Sequence, residues 1–409
     1  MNEIMDAYVA RQPIFNRRKK IFGYELLFRD ATARFTPEID GDTATSTVLG
    51  NTFFNIGIDA LSGGKKSFIN FTENLLVKKI PLLLPTGETV IEILETVRPT
   101  PELIAACQEM VKKGCTLALD DFAYTPELKP LIDLAHIIKF DFRLSSTDQI
   151  ASYLEQIPRR NGLNMLAEKI ETYQEFEQAK AMGFDYFQGF FFCKPQLVKG
   201  KQIAGSQLNL LQIMAAVNRA DFDFSTLEKL IAPDVSLSYK LLKYINSAFF
   251  AKARQITSIQ QALVYMGEAE IRRFVSLIAM SNLAKGKPDE LIRVSCIRGK
   301  FCELLGALTD QRCDPGELFT LGMFSLIDAI VDQPMARVMK ELPLSESIKN
   351  ALSDRRGELI GYLALVENYE KGLWALVGRL AEALKIPSDH LEEAYRKACA
   401  WANTFSEPE

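Results

Sequence analysis

The spacing of hydrophobic and polar positions changes near residue 200. Before that point, short apolar runs alternate with stretches whose apolar residues recur at helical spacing, a pattern typical of βα units around a parallel sheet. The polar turn between the first two runs predicts a hairpin. The predicted strands are 9–15, 20–28, 67–71, 89–94, 116–122, 135–142, 163–167 and 186–189, and the predicted helices include 43–61 and 101–113.

The apolar runs carry polar residues where a strand should be buried. Asp120 and Asp121, at the exit of run 116–122, would repel one another at a single site without a cation between them. One acid after a strand is a common turn residue. A set of polar residues with one member per strand is hard to explain by a structural role alone. A closed barrel would bring these residues to one mouth. There their oxygens would suit Mg²⁺ or Mn²⁺. The set is Glu25, Asn70, Glu92, Asp120, Lys139, Glu168 and Gln188.

The composition describes a globular protein with more than one domain. A chain of 409 residues exceeds one ordinary core, and 48% hydrophobic with 24% charged residues is globular composition. The net charge of −4 and the lack of a basic stripe argue against nucleic acid as a partner. The 7 scattered cysteines indicate reduced thiols in a cytoplasmic protein. The polar start is unlike a signal peptide and no apolar run could span a bilayer, so we expect no membrane partner.

The histidine content limits the chemistry. Only 2 histidines, His136 and His390, are present, which excludes a histidine-rich metal site and a Ser-His-Asp triad built on more than these. His136 precedes a strand, and we interpret it as a packed or capping residue. His390 lies at a polar helix start and is predicted to be exposed.

A series of short motifs runs through the first half: YELLFR, FINF, IEILE, LDDF, IKFD, AEKIE and FQGFFFCKP. In this order they resemble the EAL domain of cyclic-di-GMP phosphodiesterases, with Glu25-Leu26-Leu27 as the signature tripeptide. The resemblance covers roughly residues 7–198 and implies a modified TIM (β/α) barrel.

The same resemblance implies hydrolysis of one phosphodiester bond of cyclic-di-GMP, giving linear pGpG, with Mg²⁺ or Mn²⁺. Lys139 would contact the attacking water or a phosphate oxygen, and Glu168 would complete the coordination or orient that water. Arg29 would hold a phosphate, as guanidinium geometry suits. Carried over by position, the metal ligands are Glu25, Asn70, Glu92, Asp120 and Asp121; the catalytic residues are Lys139, Glu168 and Glu25; the substrate contacts are Arg29, Gln188 and Asp141.

The chain departs from the EAL pattern in a supporting loop. After LDDF the family continues with a glycine-rich loop that connects metal, substrate and dimer interface, whereas residues 123–127 read AYTPE here. Glu95, which would brace that loop, remains, and Leu26 replaces the signature alanine. Loose support around a site commonly costs function. The resemblance therefore implies metal ligands that are present around a degenerate support.

The second half has a different period. Residues 197–205 are polar and glycine-bearing, as in a linker, and the later segments 225–231, 236–245, 259–266 and 271–283 have helical spacing. The motifs KYINS and ITSIQQAL resemble an HDOD domain, a relative of the HD phosphohydrolases. Ser325 and Leu326 stand where catalytic relatives have a His-Asp pair. The resemblance implies a non-catalytic helical module that binds a signalling protein.

Together these features predict an α/β plus all-α protein: an EAL-type barrel over 1–198, a linker over 199–206 and an HDOD-type helical domain over 207–409. We expect either a weak, metal-dependent cyclic-di-GMP phosphodiesterase or a non-catalytic receptor or scaffold on the same barrel. The retained ligands favour the enzyme and the degenerate loop favours the receptor. A homodimer is compatible with the sequence.

Overall fold

The protein forms two compact units, one comprising Met1–Lys194 with Asn368–Gly378 and the other Pro195–Glu367 with Arg379–Glu409. The predicted linker at 199–206 lies outside the described residues, as do nearly all of the predicted helices 43–61, 225–231 and 236–245, so these boundaries stay predictions. The computed structural model describes residues 7–30, 61–158, 160–196, 211, 217, 245, 259–284, 286–309, 313–342 and 344–404. Within these ranges it describes the backbone throughout but not every side chain.

The first unit contains a closed barrel of eight strands in sequence order, which confirms the predicted α/β barrel. The first strand pairs antiparallel with the second and the eighth, and the other neighbours are parallel. The strands are β1 Ala7–Asn16, β2 Ile21–Asp30, β3 Lys66–Phe71, β4 Thr89–Ile93, β5 Thr116–Leu119, β6 Ile137–Asp141, β7 Asn164–Glu168 and β8 Tyr186–Gln188.

The predicted hairpin at the start of the barrel is confirmed. The side-chain oxygen of Asn16 accepts hydrogen bonds from the backbone N–H groups of Arg18 (2.9 Å) and Lys20 (3.1 Å), which closes the turn locally. The register that follows places Gln12 opposite Glu25. The hairpin therefore fixes which residues of β2 face the barrel interior.

Five helices are described in the barrel unit, and the three longest have first turns capped by side chains. Ser146 and Gln149 form a capping box, and Thr100 and Thr172 accept hydrogen bonds from backbone N–H groups three residues later. Such caps satisfy donors that a helix leaves free at its start. The helices are α1 Glu73–Val77, α2 Pro101–Lys112, α3 Lys129–Leu134, α4 Thr147–Gln156 and α5 Tyr173–Ala181, with 3₁₀ turns at Ile80–Leu83, Pro126–Leu128 and Phe191–Cys193.

An apolar layer fills the barrel interior below the mouth. Side chains two positions apart on a strand share a face, so on the parallel strands β3 to β7 the residue two positions after each layer member lies one level higher on the same face. Those later residues are polar: Phe68 precedes Asn70, and Val90 precedes Glu92. On the antiparallel strand β1 the corresponding residue comes two positions before Ile14 and is Gln12. The layer closes the barrel from below with Ile14, Phe68, Val90, Ala118, Ile137 and Leu166, against which Phe22 and Tyr186 pack.

The chain from residue 259 onward is helical where it is described, which confirms the predicted all-α half. The predicted helices 259–266 and 271–283 form one span, α6 Ile259–Leu283, with a kink at Gly267, whose φ of +69° suits glycine. None of the described helices combines the length and apolar character that crossing a membrane requires. The further helices are α7 Asp289–Ala307, α8 Pro315–Phe324, α9 Ile327–Val331, α10 Met335–Glu341, α11 Glu346–Ser353, α12 Ile360–Glu370, α13 Trp374–Leu384 and α14 Leu391–Asn403.

Candidate metal centre

Lys139 lies at the centre of the barrel mouth and is 0% exposed. Its Nζ is 2.5 Å from Glu92 Oε1, 2.7 Å from Asp120 Oδ1 and 2.8 Å from Glu168 Oε1. Glu25 Oε2 lies 3.8 Å from the same nitrogen. One ammonium therefore faces four carboxylates that come from β2, β4, the end of β5, and β7.

Glu25 is held by two amide side chains. Gln188 Nε2 donates to Glu25 Oε2 at 2.5 Å, and Asn70 Nδ2 donates to Glu25 Oε1 at 3.2 Å. Gln188 Nε2 also donates to Gln12 Oε1 at 3.1 Å, so both of its N–H groups have acceptors. Each oxygen of Glu25 is therefore oriented before any ligand arrives.

Several buried oxygens at the mouth have no hydrogen-bond partner among the described residues. They are Glu92 Oε2, Glu168 Oε2, Asn70 Oδ1 and Gln188 Oε1. Leaving a buried acceptor unpaired costs about 1–3 kcal/mol, so such a set is expected only where a ligand satisfies it. Carboxylate and amide oxygens are the donors that hard divalent cations prefer. The residues present therefore fit the divalent metal that the sequence implied.

The buried charges shift one another's protonation. Burial is the largest influence on Glu92 and raises its pKa well above the usual value, with Glu25 and Asp120 adding to the rise and Lys139 opposing it. Burial likewise raises the pKa of Glu168 well above its usual value. For Lys139 burial acts to lower the pKa, but the surrounding carboxylates together hold it well above its usual value. Lys139 therefore stays charged, and a further cation would relieve the acids.

Three carboxylates converge where β5 and β7 end. One oxygen from each of Asp120, Asp121 and Glu168 lies within 4.8 Å of the others, which is close enough for a single metal ion. Asp121 has a φ of +39°, a backbone conformation that side-chain-bearing residues rarely adopt. Such strain collects at functional sites, where the surrounding structure holds it in place.

The loop after β8 passes close to this edge and requires glycine. Gly189 has a φ of +141°, and a Cβ placed there would lie 2.1 Å from the carbonyl oxygen of Ile170. Any side chain would push apart the segments that carry Gln188 and Glu168. The glycine of the FQG motif is therefore explained by close backbone approach.

Both carboxylate oxygens of Asp141 have partners within the chain. Its Oδ1 accepts hydrogen bonds from the backbone N–H groups of Arg143 (2.5 Å) and Leu144 (3.2 Å). Its Oδ2 pairs with the ammonium of Lys169, which also lies 3.8 Å from Asp121 Oδ1. Asp141 thus shapes the loop after β6, and its role as a substrate contact stays a prediction.

The loop after Asp121 makes few contacts with the mouth. Phe122 N donates to the backbone oxygen of Lys139 at 2.9 Å, after which Ala123 and Thr125 are exposed and Pro126–Leu128 forms a 3₁₀ turn. Glu95 is exposed as well. Among the hydrogen bonds of the described residues, this loop therefore reaches the mouth through the backbone of Phe122, in keeping with the departure seen in the sequence.

The structure brings most of the predicted site residues together. Glu25, Asn70, Glu92, Asp120, Asp121, Lys139, Glu168 and Gln188 share one mouth, although their roles as ligands and catalysts stay predictions.

Other site residues were either missed by the sequence or lie beyond what the structure describes. The sequence missed Gln12, which only strand pairing places beside Gln188, and Lys169, whose position directly after a strand-end acid was the available signal. The backbone of Arg29 lies in β2, but its side chain lies outside the described part of the chain.

The two histidines take no part in the mouth. His136 Nδ1 accepts a hydrogen bond from the backbone N–H of Leu117 at 3.3 Å, and His390 is exposed. In the helical half, Ser325 ends α8 and its Oγ donates to the carbonyl of Gly322 at 2.7 Å, while Leu326 is buried. Ser325 is thus a helix cap and Leu326 a core residue, and their correspondence with a His-Asp pair stays a prediction.

Two domain families match the chain in sequence order. Residues 42–195 match the EAL domain, and residues 208–349 match the HDOD domain. The chain is 36% identical over 401 residues to the cyclic di-GMP phosphodiesterase CdgJ of Vibrio cholerae, which covers 98% of this chain and 93% of that protein. It is 35% identical over 409 residues to the uncharacterized protein YuxH of Bacillus subtilis, covering 98% and 99%.

Among solved structures, the calcium and cyclic-di-GMP complex of BlrP1 from Klebsiella pneumoniae matches at 21% identity and a TM-score of 0.38. That match covers 46% of this chain and 55% of the other. The family assignment rests on these two relatives, because each alignment spans nearly the whole chain at more than a third identity. The chain belongs to the family of two-domain proteins in which an EAL domain is followed by an HDOD domain.

Proposed function

We propose that the barrel is a cyclic-di-GMP site that binds a divalent metal, Mg²⁺ or Mn²⁺, and hydrolyses one phosphodiester bond slowly. The observation that carries this proposal is the mouth itself, where one ammonium faces four carboxylates and several buried oxygens have no partner among the described residues. The relation to CdgJ, named as a cyclic di-GMP phosphodiesterase, supports the choice of substrate.

The proposed metal ligands are Glu25, Asn70, Glu92 and Asp120, with Asp121 and Glu168 completing the set. All are oxygen donors at the carboxyl ends of barrel strands, where TIM-type barrels carry their chemistry. When bound, the metal supplies Lewis-acid stabilisation of phosphate charge and lowers the pKa of a bound water.

The protein's own residues would orient the carboxylates of the site and transfer protons. Gln188 and Asn70 fix the carboxylate of Glu25 through the hydrogen bonds seen in the structure. Lys139, charged and between Asp120 and Glu168, can donate to an attacking water or to a phosphate oxygen. Glu168 is the carboxylate proposed to take a proton, because its Oε1 lies 2.8 Å from the ammonium of Lys139 while its Oε2 has no partner among the described residues.

Substrate binding is proposed to rest on Arg29, whose guanidinium suits a phosphate of the dinucleotide. A charge-assisted hydrogen bond of this kind contributes about 1.5–3 kcal/mol, which corresponds to roughly tenfold or more in affinity. The contact acts in the ground state, so it matters whether or not turnover follows.

A second function, a receptor without turnover, is favoured by one observation. Ala123, Thr125 and Glu127 are exposed, and the hydrogen bond that joins their loop to the mouth comes from the backbone of Phe122. Metals held on unsupported ligands lose rate before they lose binding. In either case we propose that the HDOD half is a regulatory module that binds a signalling protein and has no phosphohydrolase activity.

The test is hydrolysis of cyclic-di-GMP by the purified full chain with Mg²⁺ or Mn²⁺, alongside binding measured calorimetrically. Turnover that disappears in E25A supports the enzyme, and binding without turnover supports the receptor. R29A should weaken binding in both cases. Neither binding nor hydrolysis by the wild type would leave the barrel a scaffold and refute the nucleotide proposal.

A further inference from the structure

Lys169 places a second ammonium at the edge of the mouth. It follows Glu168 directly, in the loop between β7 and α5. Its Nζ pairs with Asp141 Oδ2 and lies 3.8 Å from Asp121 Oδ1. Two acids from different strands thus share one cation that belongs to the protein.

The position of this ammonium is fixed from two sides. The backbone of Lys169 has a φ of +55°, a conformation that costs a residue with a side chain roughly 1 kcal/mol. Asp141 is itself held by the N–H groups of Arg143 and Leu144, so its free oxygen has one direction in which to accept. A lysine in a strained backbone, aimed at a fixed carboxylate, is positioned by more than chance surface pairing.

We infer that the ammonium of Lys169 fills the outer cation position at the mouth, so that the barrel binds one divalent ion tightly and a second ion only weakly. This inference rests on the proposed function, because it assumes that the mouth binds metal. In a two-metal site both cations are metal ions, whereas at this mouth the chain itself would supply one of the two cations.

Distance supports this assignment. Paired metal ions in hydrolytic sites lie about 3.5–4 Å apart and share ligands. A divalent ion bound to Asp121 Oδ1 on the side that faces Asp141 would approach the ammonium of Lys169, which lies 3.8 Å from that oxygen. Like charges at such a separation repel one another, and because the side chain of Lys169 is 53% exposed, water screens part of the repulsion. The inner carboxylates Glu25, Glu92 and Asp120 do not face Lys169 in this way.

The inference also offers a reason for slow turnover. An ammonium can neutralise Asp121 and Asp141, but it cannot bind and activate water as a metal ion does. A mouth with one metal and one lysine would keep its affinity for phosphate while losing part of its chemistry.

The experiment counts bound Mn²⁺ on the full chain by electron paramagnetic resonance, comparing wild type, K169M and K169G. K169M removes the charge and keeps most of the side chain, whereas K169G also relieves the backbone. The matched control is K194M, because Lys194 has a similar exposure (49% against 53%) and pairs with Glu171 instead. Thermal unfolding checks that each variant is folded.

We expect one tight Mn²⁺ in wild type and K194M. In both Lys169 variants a second ion should bind at least about tenfold more tightly than in wild type, the scale of one charge-assisted contact. Two ions that share ligands should also give a spin-coupled spectrum, which a distant adventitious ion would not.

The possible failures are distinct. Two equally tight ions in wild type, or one ion in the Lys169 variants, would refute the role of Lys169 while leaving the metal proposal intact. No bound Mn²⁺ in any variant would refute both.

Discussion

The barrel mouth and an ion-pair cluster of the helical half balance their charges in opposite ways. At the mouth, four carboxylates surround the single ammonium of Lys139. In the helical half, one carboxylate, Glu367, faces the guanidinium groups of both Arg298 (3.7 Å) and Arg355 (3.0 Å). At the mouth the carboxylates outnumber the cations that neutralise them, whereas in the helical half one carboxylate has two cationic partners.

Arg298 is the buried cation of this cluster. It lies in α7, is buried, and donates to Ser325 Oγ at 3.3 Å. The resemblance to HD phosphohydrolases predicts a metal-binding histidine at the position of Ser325 in catalytic relatives, and in this chain a guanidinium contacts Ser325. The comparison teaches that the balance of buried charge, more than the number of acids, indicates whether a site needs an outside cation.

Removing the ammonium of Lys139 from the mouth tests this difference most directly and should give the largest effect. K139M leaves the acids without their cation and should destabilise the metal-free protein by about 3–5 kcal/mol. Mn²⁺ should restore part of the loss, because it can replace the missing charge. Thermal unfolding with and without Mn²⁺ measures both effects, and K194M serves as the surface control. Equal unfolding of K139M and wild type without metal would contradict the prediction.

Removing a proposed ligand gives the next largest effect. D120A should lower the affinity for Mn²⁺ by about a hundredfold or more, since even partners behind the ligands are worth 10–100-fold. Calorimetric titration measures the change. D133A is the control, because Asp133 is an exposed acid that pairs with Lys129. Unchanged binding in D120A would remove that residue from the site.

The helical half should respond to charge but not to metal. R298M should cost about 1–3 kcal/mol, less than K139M, because Arg355 still pairs with Glu367. A chelator should leave the unfolding of the helical half unchanged in wild type and variant. Differential scanning calorimetry separates the two effects. Destabilisation by the chelator would show that this half contains a metal after all.

The smallest expected effect is a pH dependence at Asp328, near Arg298. Burial raises the pKa of this carboxyl to about 6, while Arg298 opposes the rise. The folded state therefore holds the proton more firmly than the unfolded state, and stability should fall as the pH rises from about 4 to about 6. The partial exposure of Asp328 limits the change to about 1–2 kcal/mol. D328N should lack this slope in melting temperatures measured across that range.

Much of the barrel could be predicted because its signals are local. The run IIKFD reads as a buried strand, and Asn16 marks the hairpin turn. The spacing of Val90 and Glu92, repeated from strand to strand, already contains the apolar layer and the polar layer above it. These features depend on neighbours in the chain, so the sequence is enough to predict them.

Other parts of the site depend on which strands meet. Nothing near Gln12 in the chain indicates that it accepts a hydrogen bond from Gln188, which is 176 positions away. The pairing of Lys169 with Asp141 likewise joins two loops that only the barrel brings together.

The sequence by itself determined the class of each half and the strand-end oxygens of the barrel. Only the tertiary structure decided how charge is distributed among them. Closure of the barrel set Lys139 among four acids, and the packing of α7 set Arg298 beside Ser325. The physical reason is that a residue type fixes the charge of a group, whereas the energy of that charge depends on burial and on neighbours distant in the chain.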